Sequence, residues 1–574
     1  MRKRVCRYHP FKVRLQFCRI GNIRVGSAII FMMVGALSCV HRCVFDKKVE
    51  YSSINCLFAC RSCQRYYEMY VLMKRATQHR AIYCYGILSL WIFLMIAGTY
   101  KFANFDNVMS TWLRKPQTLP AAQAQKRLRD LKRRNLLKSC NLLEDLTLGS
   151  EGEPDENYNL EGVILLLRHG DRGPLSHLRN ISSVDCGIKT EESSKEFELY
   201  RQIVSNISYK LPQSSMLSFF LSHIQNSPQS PLLPSSPECE LGQLTPSGIV
   251  QLMKLGQLLR SRYASRLALA DKNVTSEDIA VYSTAYKRTI QSVLAFLTTF
   301  LNVDDFFKVV HLRESKSLLF CFNDCACHAS EVYQKRYRAE VSKFYKNHPS
   351  VIKLVRKLSN IVFEVPDSMQ NSDPYVLKDG LLTFLCHEAN LPSYNLRNVR
   401  KEQVTTVFNY INQETRVAVQ SRALKMSFLL RSYGFLKDIV SQMLRIISEK
   451  KPRMIIYSGH DKTIKYISAA FGVLNQYTAL PPYASRFMIE VYSFDEKTEA
   501  DIFSVRKKYF FRLLFNGQDF TDQVTFCKSN FQKDGANNSN FVVCPIESII
   551  RYLHDDYFTI FNATNYKDAC AVPT

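Results

Sequence analysis

A short apolar run at residues 162–167, Gly-Val-Ile-Leu-Leu-Leu, leads directly into a polar loop at residues 168–174, Arg-His-Gly-Asp-Arg-Gly-Pro. An apolar run of this length that stops at charged residues is typical of a strand buried on both faces of a parallel sheet. Ligands of open α/β sheets bind at the carboxyl ends of such strands. The sequence therefore predicts an α/β domain with a binding loop at residues 168–174.

This loop combines one imidazole with two guanidinium groups. Arg168 and Arg172 can bind phosphate oxygens through planar, bidentate donors that a lysine lacks. His169 lies between them, where its imidazole could attack phosphorus and form a covalent intermediate. The spacing therefore favours a phosphate site with His169 as nucleophile over a merely solvated polar loop.

A second loop of the same kind follows another apolar run far along the chain. Residues 454–457, Met-Ile-Ile-Tyr, predict a buried strand, and His460 and Asp461 come shortly after it. Phosphoryl transfer to a histidine requires an acid near the departing oxygen, which Asp461 can supply, and His460 adds a donor to the phosphate. A His-Asp pair alone is weak evidence, but after a second buried strand it completes an active site.

The residues between the two loops predict further strands, helices and a cap. Thr245 followed by Pro246 is typical of a helix N-terminus. Residues 279–283 predict another strand, which leads into a helix near Arg288, and residues 305–440 are rich in helical patterns with few clear strands. These patterns indicate an α/β sheet domain with an inserted helical cap at about residues 305–440.

Four segments resemble motifs of the histidine acid phosphatase family. They are the two loops described above, the Thr-Pro-x-Gly run at 245–248 and the run Tyr-Ser-Thr-Ala-Tyr-Lys-Arg-Thr at 282–289. The resemblance covers about residues 158–570 and implies the fold of that family. It also implies that Arg288 binds the phosphate together with the side chains of the two loops, namely Arg168, Arg172 and His460.

The run at 282–289 departs from the usual family pattern. Tyr282 replaces an arginine at its start, and Ala285 and Lys287 replace acidic residues. We therefore expect surroundings of the substrate unlike those of broad-specificity acid phosphatases.

The resemblance further implies a mechanism. His169 attacks the phosphorus, Asp461 protonates the leaving oxygen, and water then cleaves the phosphohistidine with Asp461 as base. Because the arginines supply the fixed positive charge that a metal ion would otherwise provide, we expect no metal and no other cofactor.

Four C-terminal segments resemble the branch of the family that removes the 2-phosphate from xylose in the glycosaminoglycan–protein linkage region: residues 515–519, 525–527, 543–547 and 566–570. The implied substrate is a phosphorylated xylose-containing glycan. A broad-specificity lumenal or lysosomal acid phosphatase is the alternative. A catalytically inactive phosphate-binding protein is less favoured, since His169 and Asp461 are both present. We expect no nucleic-acid partner, and the sequence leaves the oligomeric state open.

Residues 81–100 contain no charge and match the thickness of a bilayer core. Residues 1–80 hold sixteen Lys/Arg against three Asp/Glu, and basic residues favour the cytosolic side. The sequence thus predicts a basic cytosolic tail at 1–80, one signal-anchor span at 81–100, a stem at 101–157 and a lumenal phosphatase domain at 158–574. We expect a single-pass type II protein of the Golgi membrane, although the shorter apolar run at 25–40 could also span a membrane.

Five glycosylation motifs all follow the predicted span, at Asn180, Asn206, Asn273, Asn537 and Asn562. Ten of the eighteen cysteines also follow it, and an oxidising lumen favours disulfides between them. Cys321, Cys325, Cys327 and His328 could instead suggest a zinc site, but they lack a matching second pair, so disulfides are the favoured interpretation.

Overall fold

The computed structural model describes residues 134, 136–153, 157–207, 232–234, 238–270, 274–309, 312–321, 327–365, 372–497, 505–528, 532–533 and 541–571. Their strands are β1 (Tyr158–Arg168), β2 (Ile279–Thr284), β3 (Leu312–Ser315), β4 (Ser393–Tyr394), β5 (Arg397–Asn398), β6 (Met454–Gly459), β7 (Arg486–Lys497), β8 (Val505–Phe515), β9 (Gln518–Asp519), β10 (Gln532–Lys533) and β11 (Val542–Pro545).

Nine of these strands form one mixed sheet in the order β10-β11-β8-β7-β1-β6-β2-β3, with β9 paired to β8. Strands β1, β6, β2 and β3 run parallel, whereas β7 and β8 run antiparallel to their neighbours. Arg168 at the end of β1 pairs with Gly459 at the end of β6, and Ser283 of β2 pairs with Ser458. The predicted strands at 162–167, 279–283 and 454–457 are thus confirmed, and their carboxyl ends lie side by side.

The helices of the described residues are α1 (Glu191–Ser205), α2 (Pro246–Tyr263), α3 (Lys287–Phe300), α4 (Val303–Val309), α5 (His328–Lys346), α6 (Pro349–Val362), α7 (Pro374–Cys386), α8 (Lys401–Ala418), α9 (Arg422–Glu449), α10 (Asp461–Ala470), α11 (Ile546–Arg551) and α12 (Tyr566–Cys570). Short 3-10 turns lie at Leu143–Asp145, Ile181–Ser183, Thr521–Gln523, Thr525–Cys527 and Thr559–Phe561, and a π turn lies at Tyr552–Asp556. As predicted, α2 begins after Thr245, whose hydroxyl oxygen accepts from the Gly248 N–H at 3.0 Å.

Alternate side chains of β1 supply the two cores of the sheet domain, because successive residues of a strand point to opposite faces. Val163 and Leu165 pack with α2 and α3 on one face. Ile164 and Leu166 pack with α9 and α10 on the other face. The central strand is therefore buried on both sides, which is what its unbroken apolar sequence predicts.

A third core lies among α6, α7 and α8, with Leu358, Leu381 and Val407 buried at its centre. The sequence predicted a cap at residues 305–440. Within this range, strand β3 belongs to the main sheet and α9 packs on a face of that sheet, so neither is part of the cap. The helices with a core of their own are thus α6 to α8. Their position brings α7 against the loop after β1.

Four disulfides link the described cysteines: Cys140–Cys386, Cys186–Cys239, Cys327–Cys570 and Cys527–Cys544. Cys321 is also disulfide-bonded. Cys321 and Cys327 therefore have no thiolate to offer a zinc ion, as the disulfide interpretation predicted, while Cys325 lies outside the described residues.

The predicted cytosolic tail at 1–80, the span at 81–100 and the stem up to residue 133 lie outside the described residues. Among the described helices, none is long and apolar enough to cross a membrane.

Candidate active site

The two predicted loops and Arg288 meet at the carboxyl edge of the parallel strands. His169 follows β1, His460 and Asp461 follow β6, and Arg288 lies in the first turn of α3 after β2. The ring centroids of His169 and His460 are 5.5 Å apart. Strands that are neighbours in the sheet but distant in sequence thus bring all the predicted site residues together.

His169 has one ring nitrogen available for attack. Its Nδ1 lies 2.8 Å from the Gly170 carbonyl oxygen, which can only accept, so Nδ1 carries the proton and Nε2 keeps its lone pair. Burial lowers the pKa of His169 well below 6.5, and the cations Arg168 and Arg288 lower it further. The imidazole is therefore neutral and nucleophilic even in mildly acidic solution.

Gly170 allows the loop to lie directly on the N-terminus of α2. A Cβ at this position would lie 2.3 Å from the Gly248 carbonyl oxygen, so a side chain here would displace backbone. The Gly170 N–H donates to Ser292 Oγ of α3 at 3.2 Å. Two helices thereby fix the backbone that carries His169.

Asp171 anchors the loop. Its Oδ2 accepts from Thr245 Oγ1 at 2.7 Å and lies 2.8 Å from His387 Nε2, and its N–H donates to Gln251 Oε1 at 2.8 Å. Asp171, Gln251 and His387 also line a cavity of about 800 Å³ whose described lining includes none of the predicted phosphate ligands. The described contacts of Asp171 therefore hold the loop in place against α2 and His387.

Each arginine of the first loop is held by a residue far away in sequence. Asp379 of α7 forms a bidentate ion pair with Arg172, with Nη2–Oδ1 at 2.6 Å and Nη1–Oδ2 at 3.3 Å. The Arg168 guanidinium carbon lies 4.4 Å from the centroid of the Tyr483 ring, and its Nη1 donates to the Pro481 carbonyl. Both guanidinium groups are therefore oriented before any substrate binds.

Two of the guanidinium groups retain unused donors. The Nε atoms of Arg168 and Arg288 are buried, and neither has a hydrogen-bond partner among the described residues. A buried donor without a partner is costly, so these Nε atoms are available to donate to a bound anion. The guanidinium carbon of Arg288 also lies 4.5 Å from the centroid of the Tyr286 ring, which is at the exposed edge of the site.

His460 is a neutral link between β2 and Arg288. Its Nδ1 lies 3.3 Å from Arg288 Nη2, which can only donate, so Nε2–H donates to Thr284 Oγ1 at 2.9 Å. Burial and Arg288 lower the pKa of His460 to about 3. In this tautomer His460 orients Arg288, and donation from Nδ1 to phosphate would require an added proton, which a bound phosphate dianion favours.

Asp461 is the first residue of α10, and its side chain reaches solvent in the cleft. Desolvation raises the pKa of its carboxyl, but Arg168, His460 and Lys465 outweigh this effect and hold the pKa below its ordinary value. Negative charge brought by a phosphate would offset the positive charge of Arg168 and Lys465. Substrate binding thus favours the protonated form that an acid catalyst needs.

The sequence did not reveal several residues that shape the site. Asp379, Tyr483 and Thr284 contact its cations or imidazoles, yet only Thr284 lies within a motif.

Tyr282 was expected to alter the surroundings of the substrate, but it lies in the core, stacked on Tyr457 at 4.8 Å. That expectation was wrong for Tyr282, because its ring is buried against β6 and helix α9 in the core of the sheet domain.

Comparison with known proteins agrees with this geometry. The family model described as "Histidine phosphatase superfamily (branch 2)" matches residues 159–382 and 396–516. The 2-phosphoxylose phosphatase 1 of Homo sapiens is 27% identical over 447 residues, which cover 75% of this chain and 85% of that protein. The protein of the same name from Xenopus tropicalis is 27% identical over 441 residues, covering 75% of this chain and 81% of that protein. Prostatic acid phosphatase of Bos taurus is 24% identical over 293 residues, covering 47% of this chain and 70% of that protein. Since the family model covers more than half of the residues, the chain belongs to branch 2 of the histidine phosphatase superfamily.

Proposed function

We propose that the chain is a phosphomonoesterase that works through a phosphohistidine on His169. The observation that carries this proposal is the pairing of a neutral, buried imidazole with Nε2 free and a set of guanidinium groups around it. Arg168, Arg172 and Arg288 bind the phosphate oxygens and stabilise the charge of the transition state. His169 Nε2 attacks the phosphorus, and the bond to the leaving oxygen breaks.

Asp461 acts as the acid and then as the base. Its proton passes to the leaving alkoxide in the first step, which leaves a carboxylate beside the phosphohistidine. In the second step that carboxylate takes a proton from water as the water oxygen bonds to phosphorus, and His169 is released. The open position of Asp461 in the cleft supports this assignment, since both the leaving group and water can reach it.

We further propose that the substrate is the 2-phosphate of xylose in the glycosaminoglycan–protein linkage region, so that the enzyme supports proteoglycan synthesis. The relatives named for 2-phosphoxylose support this, because they match three quarters of the chain. The direct test compares kcat/KM for a phosphoxylosyl linkage glycan with that for a small aryl phosphate. A glycan turned over no faster than the aryl ester would overturn the assignment.

A broad-specificity acid phosphatase is the second candidate, favoured by the match to prostatic acid phosphatase. That match covers less than half of this chain. Comparable kcat/KM values across aryl, alkyl and sugar phosphates would favour this candidate.

For the location, we propose a Golgi membrane protein with a single type II span and a lumenal catalytic domain. Asn180, Asn206 and Asn562 are exposed, as glycan acceptors must be, and the disulfides fit an oxidising compartment. Glycosidase treatment should lower the mass of the membrane-expressed protein, and protease outside sealed vesicles should spare the domain. An unglycosylated, protease-accessible domain would contradict this topology.

A further inference from the structure

Tyr286 is an exposed aromatic residue in direct contact with two of the predicted phosphate ligands. It is the N-cap of α3, where its N–H donates to the Thr284 carbonyl at 2.7 Å and its carbonyl accepts from Thr289 Oγ1 at 2.8 Å. Its ring centroid lies 4.9 Å from that of His460, with the planes at 80°, and 4.5 Å from the Arg288 guanidinium carbon. The backbone and the ring are therefore both fixed at the edge of the phosphate site.

The phosphate site is buried and opens to solvent at a mouth formed by Tyr286 and Asp461. His169 and His460 are only 2% and 4% exposed, whereas Tyr286 is 41% exposed and Asp461 also reaches solvent. His460 precedes Asp461 in sequence and packs against the Tyr286 ring. Among the described rings, that of Tyr286 contacts His460 but not His169, so Tyr286 lies farther from the nucleophile than His460 does.

The organic part of the substrate must extend through this mouth. In an in-line displacement the leaving oxygen departs on the side of the phosphorus opposite His169 Nε2. The organic part is attached to that oxygen, which Asp461 protonates, and in a glycan ester it continues into solvent. A half-exposed ring at the mouth therefore meets the organic part of the substrate and not the transferred phosphate.

The side chains that adjoin Arg288 at the mouth are apolar. Besides the Tyr286 ring, Arg288 contacts the turn that carries Leu241, with its Nη1 3.5 Å from the Gly242 carbonyl oxygen. The Leu175 side chain lies against the same turn, because a Cβ at Gly242 would be 3.5 Å from Leu175 Cδ2. Leu175 is 58% exposed and Leu241 is 40% exposed. Single exposed leucines need no explanation, but apolar groups gathered at a binding site fit an apolar part of a ligand.

We propose that Tyr286 is a specificity-determining residue, whose ring packs against the pyranose ring that bears the phosphate. This rests on the proposed function, because it takes a phosphorylated sugar as the substrate and His169 as the nucleophile. A xylopyranose with equatorial substituents presents C–H groups on its two faces and carries its phosphate at the ring edge. With the phosphate on Arg288, one of these faces can lie on the neighbouring aromatic ring. Such a contact with the non-reacting part of the substrate raises kcat/KM, since it orients the leaving oxygen.

Two esters that differ in the sugar ring test this contact. Methyl β-xylopyranoside 2-phosphate and glycerol 2-phosphate both release a secondary alkoxide between oxygen-bearing carbons, but only the xyloside has a ring. We define the ring preference as kcat/KM for the xyloside divided by kcat/KM for glycerol 2-phosphate. Tyr286→Ala should lower the ring preference by about tenfold, as the loss of an apolar contact with the substrate predicts. A disturbed Arg288 would lower both kcat/KM values alike and would cancel in this ratio.

Further variants assign the preference to the ring of Tyr286. Tyr286→Phe breaks no internal hydrogen bond, because the Tyr286 hydroxyl has no partner among the described residues, and it should keep the ring preference within about twofold of the wild-type value. Tyr394→Ala is the matched control, since Tyr394 is 42% exposed and its ring centroid lies 3.9 Å from the Arg179 guanidinium carbon, but it belongs to the β4–β5 hairpin. It should change neither kcat/KM value. If thermal unfolding shows that Tyr286→Ala is destabilised, Tyr286→Leu gives the same comparison and should lower the ring preference by about threefold or more.

The outcomes separate the ring contact from the substrate assignment. An unchanged ring preference in Tyr286→Ala, or an equal fall in Tyr286→Ala and Tyr286→Phe, would overturn the ring contact and leave the substrate assignment standing. Methyl β-glucopyranoside 2-phosphate, which adds a hydroxymethyl group to the ring, tests the xylose assignment separately. If the wild-type enzyme hydrolyses this glucoside as fast as the xyloside, the xylose assignment fails, whereas a fall of kcat/KM for both pyranosides relative to glycerol 2-phosphate in Tyr286→Ala would still support the ring contact.

Discussion

Asp379→Ala removes the carboxylate that orients Arg172 while leaving every predicted phosphate ligand in place. The ion pair is two-pronged, and its side chains are only 7% and 18% exposed. Asp379 Oδ2 also accepts from the Leu175 N–H at 2.9 Å. The substitution therefore leaves a buried guanidinium without a counter-charge and frees the loop beyond it.

The size of the effect follows from this burial. Removing one partner of a buried pair costs about 3–5 kcal/mol, and the partial exposure of Asp379 places the expected loss of unfolding free energy near the lower end. Asp379→Asn keeps an acceptor for Arg172 or Leu175, so it should cost about 1–2 kcal/mol. An Arg172 that is no longer held in one geometry should lower kcat/KM by about 10- to 100-fold, equivalent to about 1.4–2.7 kcal/mol of transition-state stabilisation.

Two assays measure these effects separately: denaturant unfolding gives the stability loss, and kcat/KM for an aryl phosphate gives the catalytic loss. Asp373→Asn is the matched control, because Asp373 caps the same helix through the Tyr375 N–H and asparagine caps equally well. It should change neither quantity. If Asp379→Ala retains wild-type kcat/KM, the orientation of Arg172 by Asp379 does not contribute to catalysis.

Three further predictions concern protons and stability. Burial holds the pKa of His169 well below 6.5, so the nucleophile stays neutral as the solution is acidified through that value. The value of kcat/KM, corrected for substrate ionisation, should therefore show no loss centred near pH 6.5, and such a loss would contradict this. Asp461→Asn should lower kcat/KM for an alkyl phosphate by about 10²- to 10³-fold and for p-nitrophenyl phosphate by far less, because that phenolate departs without a proton; equal losses of kcat/KM, which reports only the steps up to the phosphoenzyme, would remove Asp461 as the acid. Replacing both Cys140 and Cys386 with serine should cost about 2–5 kcal/mol of unfolding free energy, and an unchanged thermal midpoint would refute the bond.

Local signals were enough to predict the strands that carry the site. Each of β1, β2 and β6 is a short apolar run that ends in a polar loop, and parallel strands present such loops at one edge. Arg288, His169 and His460 could therefore be placed together without knowledge of the remaining chain.

The antiparallel half of the sheet had no comparable signal. Strand β7 carries a buried glutamate, Glu490, which interrupts its apolar pattern. The carboxylate accepts from the Gly152 N–H at 2.7 Å and from Arg512 Nη1 of β8 at 3.3 Å. Only the tertiary structure shows that these charges compensate each other, so periodicity could not predict that either strand is buried.

The same reason explains the residues of the site that were missed. Asp379 meets Arg172 across 207 residues of sequence, on a helix whose other features indicate only a packed cap. A carboxylate on a helix is usually a solvated surface residue. Its role depends on how the cap lies against the loop after β1, which no local pattern records.

The most direct measurement is the trapping of the covalent intermediate. Enzyme quenched in alkali during turnover of a ³²P-labelled phosphoxylosyl glycoside should carry the label on the peptide that contains His169, and His169→Ala should carry none and show no turnover. A variant that keeps turning over substrate without His169, or a label on a different residue, would contradict the account.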